Sequence, residues 1–558
     1  MKAYILLIFI ALSAQTLFSS PLNNTSGTST KIFEQGNNKL IVYTDVPGLA
    51  PSEFYTIQVR SAATNNEWVA CYANITRSLW SALPANAKGT NNTREHYYTY
   101  VKDWSHTYAN IEMSSGSLVE VQISSKNGFK IKGKDFIYAN AHPAQKASKP
   151  TVVDNIVYFT IDNPGQITID INGQMDSTNT GNGYSGPPIH TVSLFANPGM
   201  TKPSLNDPNV LVVEPGVKPS SDLGNKTTLY FRPGVHDIGR DFKIYPNKNY
   251  YIPGDAIVYG TLSNIGINSG ANIRIYGYGT LSGDRIKHSK YDPEFTGNDK
   301  SWKLIYAENC SNFWVEGLSL MNCPQHTANL NSIKTTKKNQ KETFCHWLKV
   351  ISRRSNGDGI GTAHDIQDCF IRTQDDCTYV KGDRKRCIFW TDVNGAAFIL
   401  AGMPSATERD ILIEDCDIIY PRHCSTSWAG GRVFSKREEQ APKVPGITQV
   451  NLKFKDIRIT DKFQTLETFQ LMSSGKDVKS GSYSGITFQN ITSVKQPLPT
   501  DNKIVGWSGG PWSNITFDNV TLGTKKISSV SDFGQIGPYV TNLIFRNATS
   551  LSDIKGTK

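Results

Sequence analysis

One form recurs in seven stretches of the chain: Asn272–Tyr276 (NIRIY), Asn312–Leu320 (NFWVEGLSL), Asp410–Ile419 (DILIEDCDII), Asn451–Thr460 (NLKFKDIRIT), Gly485–Ser493 (GITFQNITS), Asn514–Leu522 (NITFDNVTL) and Asn542–Ser550 (NLIFRNATS). A short apolar–polar alternation leads to Asn, Asp or Gly, and a second short alternation follows. The unit returns at intervals of roughly 20 to 40 residues, which is typical of solenoids. Two short strands per unit with a polar turn between them predict a right-handed parallel β-helix.

The Asn or Asp between the two strands has a physical use in such a solenoid. It tolerates the left-handed backbone, and its side chain can form a hydrogen bond to the backbone of the next coil. Leucine-rich repeats and propellers fit poorly, because neither Leu spacing nor Trp-Asp signatures are present. Helical periodicity is absent as well, so the fold class is all-β.

The part before the solenoid has a different texture. Residues 21–205 contain short alternating strands such as Phe54–Val59 (FYTIQV), Leu118–Ile123 (LVEVQI) and Ile156–Ile161 (IVYFTI). Such strands predict an antiparallel β-sandwich. Asn197–Gly224 is rich in Pro, Gly, Asn and Asp and is interpreted as a linker. The expected organisation is a sandwich over 21–205, followed by a linker and the β-helix over 206–558.

The first 20 residues are typical of a secretory signal peptide, with Lys2, the apolar run Tyr4–Ala14 and small polar residues after it. The run is short for a bilayer span, so a secreted protein without a membrane anchor is expected. Sequons agree with export and predict a glycoprotein; they begin at Asn24, Asn74, Asn91, Asn225, Asn309, Asn490, Asn514, Asn519 and Asn547.

Of the nine cysteines, eight lie between Cys310 and Cys424, without the spacing of a disulfide framework. Several are expected to stack inside the solenoid as small apolar residues.

The net charge is +10, part of it in two local groups: Lys334, Lys337, Lys338 and Lys341, and Lys381, Arg384, Lys385 and Arg386. Solvated loops explain such groups, and attraction to an acidic polymer is the alternative. The chain has no basic motif interleaved with aromatics, so nucleic acid is not an expected partner. No set of metal ligands stands out, so no cofactor is expected; the protein is expected to act as a monomer.

Three carboxylates are found on two consecutive predicted coils. Asp358 lies in Asn356-Gly-Asp-Gly-Ile360, and Asp375 and Asp376 follow seventeen residues later in Gln374-Asp-Asp-Cys377. Neighbouring strands lie roughly 4.8 Å apart, so all three acids are expected in one cleft. Like charges at that spacing raise one pKa, which is the condition for a general acid beside a general base. Each piece alone also fits a solvated turn; the pairing at one-coil spacing favours function.

These motifs resemble those of two glycoside hydrolase families. Asn-x-Asp-Gly-Ile followed by Gln-Asp-Asp-Cys is similar to the signature of family 28, the polygalacturonase group, although that family's later Gly-His-Gly and Arg-Ile-Lys motifs are missing. The arrangement is more similar to family 49, the dextranases and isopullulanases, which join an N-terminal sandwich to a β-helix. Ile189–Pro198 (IHTVSLFANP) and Tyr230–Gly234 (YFRPG) also resemble that family.

The resemblance implies an inverting hydrolase of internal α-linkages, with Asp375 as general acid and Asp358 and Asp376 positioning and deprotonating water. It implies a polysaccharide substrate, an α-glucan such as dextran or pullulan. An acidic polysaccharide is the second reading, which the net charge favours. Gln374 and Cys377 replace residues of the family 49 pattern, and this substitution bears on substrate identity.

Six further residues are candidate substrate contacts: Trp302, Tyr306, His326, Lys381, Trp390 and Trp428. The aromatic rings suit the apolar faces of sugars, but aromatics are equally ordinary in a solenoid core. The histidine could bond a hydroxyl, and the lysine a carboxylate or sulfate. A non-catalytic, carbohydrate-binding β-helix fits the repetition equally well and remains the alternative from another class.

Overall fold

The computed structural model describes sixteen ranges of residues: 30–62, 67–77, 105–126, 131, 137–140, 148–170, 190–287, 299–334, 337–354, 356–392, 395–421, 431–436, 450–460, 466–473, 482–494 and 502–546. The expected signal peptide over 1–20 and Trp428 lie outside these ranges. Within them no helix is long and apolar enough to cross a membrane.

The first twelve strands build the N-terminal domain: β1 (Thr30–Gln35), β2 (Asn38–Tyr43), β3 (Tyr55–Ser61), β4 (Val69–Ala70), β5 (Asn74–Arg77), β6 (Ser105–Met113), β7 (Val119–Ser125), β8 (Ile137–Asn140), β9 (Thr151–Val153), β10 (Ile156–Ile161), β11 (Gly165–Asp170) and β12 (Thr191–Asn197). One sheet has the order β1-β2-β6-β12-β11-β8, with β5 beside β6, and the other has the order β4-β3-β7-β10-β9. Apolar residues of both sheets share one core, which makes the domain a sandwich.

The sandwich departs from the expected antiparallel pattern at one place, because β12 pairs with β6 in parallel. These two strands are also buried at every position, whereas β3, β7 and β10 alternate between buried and half-buried residues. Both faces of β6 and β12 are covered, one by the second sheet and one by the C-terminal domain. Their outward side chains include polar groups such as His106 and Thr191, which form hydrogen bonds across the domain interface.

Within the described residues, thirty strands build the C-terminal domain: β13 (Val210–Val213), β14 (Thr228–Phe231), β15 (Gly234–Lys243), β16 (Asn249–Tyr251), β17 (Ala256–Ser263), β18 (Gly270–Ala271), β19 (Arg274–Tyr276), β20 (Thr280–Ser282), β21 (Ile305–Ser311), β22 (Phe313–Glu316), β23 (Ser319–Met321), β24 (Ala328–Ser332), β25 (Thr343–His346), β26 (Lys349–Ile351), β27 (Asp365–Gln367), β28 (Phe370–Thr373), β29 (Thr378–Tyr379), β30 (Asp383–Lys385), β31 (Ile388–Thr391), β32 (Ala396–Ile399), β33 (Ile411–Pro421), β34 (Gly431–Lys436), β35 (Leu452–Ile459), β36 (Leu466–Met472), β37 (Tyr483–Ser493), β38 (Lys503–Val505), β39 (Trp512–Leu522), β40 (Lys525–Lys526), β41 (Gln535–Ile536) and β42 (Val540–Arg546). A 3₁₀ turn spans Lys300–Trp302, and a single-turn helix, α1, spans Val530–Phe533.

Parallel pairing from coil to coil gives this domain three faces. The first contains β19, β22, β25, β27 and β30, and the second contains β20, β23, β26, β28 and β31. The third contains β29, β32, β34, β36, β38 and β41. Further along the chain, β33, β35, β37 and β39 each run through the first two faces. The parallel β-helix expected from the repeats is confirmed.

The repeated form supplies both the interior and the corners of the coils. Phe454, Phe488 and Phe517 occupy one position of the unit, are fully buried and pair in register, and the Phe454 and Phe488 rings stack at 5.2 Å. The turn residues Asn490 and Asn519 have φ of +53° each, so the predicted left-handed backbone is confirmed. Their hydrogen bonds differ from the prediction: the Asn519 amide donates to the Asn490 side chain at 2.9 Å rather than to the backbone.

The stretch interpreted as a linker is partly structured. The last strand of the sandwich ends at Asn197, and β13 already pairs with β14 as the first strand of the β-helix. The chain therefore passes from the sandwich to the solenoid between 198 and 209.

Two sequence-based expectations about side chains have different outcomes. Eight cysteines lie within the described ranges and all are buried free thiols, so their role as small core residues is confirmed. Asn74 is only 3 % exposed, which removes its sequon from the candidate glycan sites, whereas Asn225, Asn309 and Asn514 are exposed.

The sandwich packs against the second face of the β-helix. Phe195 of β12 lies against Phe370 of β28 with ring centroids 5.3 Å apart. The amide of Asn110 donates to Ser319 at 3.2 Å, and the Lys349 ammonium donates to Asn197 at 2.8 Å. Since β28 leads directly into Gln374-Asp-Asp-Cys377, this contact fixes the strand that carries two of the three acids.

Candidate active site

The three acids meet at the corner between the second and third faces. Asp375 and Asp376 lie between β28 and β29, and Asp358 lies at the same corner of the preceding coil. The Gly359 N–H donates to the Asp376 carbonyl at 2.8 Å, and the Ile360 N–H donates to the Cys377 carbonyl at 3.0 Å. The one-coil spacing therefore places the acids side by side, as expected from the sequence.

Two glycines make this approach of the coils possible. A Cβ on Gly359 would collide with the Cys377 carbonyl oxygen, and one on Gly357 would lie 2.5 Å from the Arg354 carbonyl oxygen. The glycines on both sides of Asp358 are thus required by close packing.

Each member of the acid pair is tied by backbone N–H groups. Oδ1 of Asp375 accepts from the Asp376 N–H at 2.9 Å, and Oδ1 of Asp376 accepts from the Ala396 N–H of the next coil at 2.9 Å. All three side chains are buried, with exposures of 5 % for Asp358, 9 % for Asp375 and 3 % for Asp376. Asp375 is the most accessible, which suits a group that must reach the substrate.

Tyr379 joins two of the acids and was missed by the sequence analysis. Its hydroxyl lies 3.0 Å from Oδ2 of Asp358 and 3.3 Å from Oδ2 of Asp376. The available signal was an aromatic hydroxyl in the strand directly after the acid pair. The two carboxylates therefore share one hydrogen-bonding partner.

The electrostatics of the cluster follow from burial and like charge. Burial raises the pKa of Asp358 well above its usual range, and the neighbouring charges of Asp375 and Asp376 raise it further. The hydrogen bond from Tyr379 and the charge of Lys303 act in the opposite direction. The pKa of Tyr379 is itself raised, first by Asp358, so its hydroxyl stays protonated over the working range of an enzyme.

His326, a candidate substrate contact, lies beside the acids. Its Nδ1 lies 3.3 Å from Oδ2 of Asp358. Burial, with a contribution from Lys303, lowers the pKa of His326 to about 3. The ring is therefore neutral at ordinary pH, and the contact with Asp358 is not an ion pair.

The aromatic candidates are placed differently from the expectation. Trp390 is fully buried under the sandwich, where its ring covers the Arg372 guanidinium at 3.8 Å. Trp302 is 1 % exposed and its ring covers Arg240 at 4.7 Å. Neither ring offers a face to a sugar, because both belong to the packed layers around the coils. Trp428 lies outside the described residues.

Tyr306 and Lys381 lie on the side of the coils that continues the third face. Strand β21, with Tyr306, pairs with β24, which is connected to β29 through bridges of Ile360. Tyr306 is 4 % exposed, its hydroxyl bonds Glu308, and Lys300 lies over its ring at 5.1 Å. The Lys381 ammonium donates to the Gly402 carbonyl. Both occupy the face onto which the acid corner opens, yet their polar groups already have partners in the protein.

Gln374 and Cys377 do not face the cleft. Gln374 is 1 % exposed and its amide donates to Asp392 at 2.9 Å, while Cys377 is fully buried beneath the acid pair. The substitution of these two positions, which the sequence analysis linked to substrate identity, therefore changes the packing under the acids and not a contact with substrate.

The chain is similar to a family of glycosyl hydrolases in sequence and to solved β-helix enzymes in fold. The model of "Glycosyl hydrolases family 28" matches residues 254–536. Dex49A from Penicillium minioluteum has a similar fold, at 14 % identity and a TM-score of 0.68, with 93 % of this chain and 100 % of that chain covered. The family 28 exopolygalacturonase from Yersinia enterocolitica matches at 13 % identity and a TM-score of 0.41, with coverage of 77 % and 97 %. No curated protein matches the chain. The resemblance to families 28 and 49 is confirmed.

Proposed function

Because the chain belongs to glycosyl hydrolase family 28, and is thus a glycoside hydrolase of the parallel β-helix type, we propose that it cleaves internal α-linkages of a polysaccharide with inversion. Asp375 protonates the glycosidic oxygen as the bond to the anomeric carbon breaks. A water molecule attacks that carbon from the opposite side, and its proton passes to the pair Asp358 and Asp376.

One observation carries this proposal: three carboxylates converge at one corner of adjacent coils. Asp358 has a raised pKa and is bridged to Asp376, which supports their shared role as the base. Asp375 accepts from a backbone N–H and is the most exposed of the three, which supports its role as the acid. A merely solvated turn would not bury three acids together, since burying each charge costs on the order of several kcal/mol.

We propose a neutral α-glucan, such as dextran or pullulan, as the substrate. The two side chains in direct contact with Asp358 carry neutral hydrogen-bonding groups, the Tyr379 hydroxyl and the uncharged His326 ring. Such groups suit sugar hydroxyls. The ammonium group of Lys381, a candidate for an acidic substituent, is already bonded to a backbone carbonyl.

An acidic polysaccharide is the second candidate, and one observation favours it. Lys303 acts electrostatically on both Asp358 and His326, so a positive charge lies beside the acid corner. A uronate or sulfate at that position would gain from this charge. The working protein is proposed to be a secreted monomer in either case.

A panel of purified polysaccharides tests the proposal. We expect new reducing ends from dextran or pullulan, and proton NMR of the first products should show the anomeric configuration opposite to that of the linkage cleaved. Release from polygalacturonate alone would replace the α-glucan with the acidic substrate. Retention of configuration would contradict the assigned roles, and binding without turnover on the whole panel would favour a non-catalytic β-helix.

A further inference from the structure

We propose that Tyr379 is a positioning residue that couples Asp358 and Asp376 into a single base, an inference that rests on the proposed function. Its hydroxyl is the one group within hydrogen-bonding distance of both carboxylates among the contacts that the described residues show at this corner, at 3.0 Å and 3.3 Å. The two acids come from different coils, so the tyrosine spans the step between them.

The coupling follows from counting hydrogens. One hydroxyl carries one hydrogen and donates to one carboxylate at a time. The contact with the second acid becomes a hydrogen bond only when that acid carries a proton and donates to the phenol oxygen. The group of two acids and one phenol is therefore suited to hold one added proton, which is what a base that takes a proton from water must do.

The remaining contacts of the pair give the coupling a direction. Oδ1 of Asp376 accepts from the Ala396 N–H, which favours its ionised form. Among the described residues no backbone N–H donates to the Asp358 carboxylate, and burial raises the pKa of Asp358. Tyr379 thus donates to Asp376 when Asp358 carries the proton, and its own proton stays on the phenol throughout the step.

The position of Tyr379 also indicates that its hydroxyl has a role other than packing. It is half-buried on the third face, while its strand neighbour Thr378 is fully buried. Phenylalanine would fill the same space, so packing alone does not require the hydroxyl.

The test is Tyr379→Phe, which removes only the hydroxyl. We expect kcat to fall about 10- to 100-fold, the range for loss of a hydrogen bond to a charged group. KM should change by less than about threefold, because the hydroxyl contacts the acids and acts on the chemical step through them. The hydroxyl stabilises the ionised form of Asp358, so its loss raises that pKa, and the acid limb of the kcat/KM profile should move to higher pH. Tyr259→Phe is the matched control, because the Tyr259 hydroxyl donates to the Gly48 carbonyl at 2.8 Å, away from the acids.

A second readout does not depend on turnover. Infrared difference spectra against pH report the carboxyl band of Asp358, identified by its loss in Asp358→Asn, and this band should titrate at higher pH in Tyr379→Phe. An unchanged band, or an unchanged kcat and acid limb, would overturn the role of Tyr379. A shifted band in a protein that cleaves no glycan would sustain the coupling and overturn the proposed hydrolysis instead.

Discussion

The guanidinium of Arg372 and the carboxylate of Asp392 form an ion pair at 2.9 Å in which neither side chain has any solvent exposure. Arg372 is in β28, directly before the acid pair, and it also donates to Thr191 of the sandwich at 2.7 Å. Asp392 in turn accepts from Gln374 at 2.9 Å, the residue that precedes Asp375. The domain interface and the turn that carries Asp375 and Asp376 therefore share one buried polar network.

Arg372→Met should lower the free energy of unfolding by about 3 to 5 kcal/mol, because it leaves the Asp392 carboxylate buried without its counter-charge. Denaturant unfolding followed by circular dichroism measures the change. The double variant Arg372→Met/Asp392→Asn removes the charge as well and should recover part of the loss. Equal stability of the single and double variants would show that the ion pair is not what the interface depends on.

Gly395→Ala should abolish most activity. Gly395 has φ of +97°, and a Cβ there would lie 2.4 Å from the backbone nitrogen of Asp376 and 2.5 Å from its Oδ1. The added methyl must displace Asp376, both backbone and carboxylate, and a displacement of about 1 Å costs on the order of 100-fold in rate. Gly216→Ala is the matched control, since Gly216 also has a positive φ, of +78°, but open space around it. If both variants lost activity equally, backbone strain and not displacement of Asp376 would be the cause.

Asp358→Asn should stabilise the protein at neutral pH. The folded-state pKa of Asp358 is raised, so protonation stabilises the fold below the unfolded pKa of about 3.9, and this contribution is lost as the pH rises through the folded value. Each unit of the shift corresponds to about 1.4 kcal/mol. Thermal unfolding should therefore show a gain for the variant at pH 7 that fades toward pH 3; a gain that does not depend on pH would rule out this explanation.

Much of this architecture could be predicted from the sequence, because its signals are local. Phe454, Phe488 and Phe517 stack inside the coils, and Asn490 and Asn519 form the corners through local backbone preference. The seventeen-residue step from Asp358 to Asp375 equals one coil, so the spacing alone predicts that the three acids lie together.

The errors concern contacts that the sequence order does not encode. Trp390 is buried because the sandwich covers the second face. The strand pattern of the β-helix does not predict which face another domain covers. The shared hydroxyl of Tyr379 also depends on the offset between two coils, which strand periodicity alone does not give.

Cys377→Ala should leave the order of preference among polysaccharides unchanged, because Cys377 is fully buried beneath the acids. It should cost about 1 kcal/mol of stability, as is usual for a small core truncation. The ratio of kcat/KM between two cleaved glycans is the quantity to compare with the wild type. A changed ratio would mean that packing under the acid pair sets specificity, contrary to the assignment made for this residue.

The most direct test is the rate at which Asp375→Asn releases reducing ends from the polysaccharide that the wild type cleaves, measured together with binding of the same polymer. Asparagine keeps the shape of the side chain but cannot protonate the leaving oxygen. We expect the rate to fall by at least about 100-fold, as for loss of a general acid, with affinity within about threefold. A variant that turns over at the wild-type rate would contradict the assignment of Asp375 as the acid and with it the account of the three-carboxylate site.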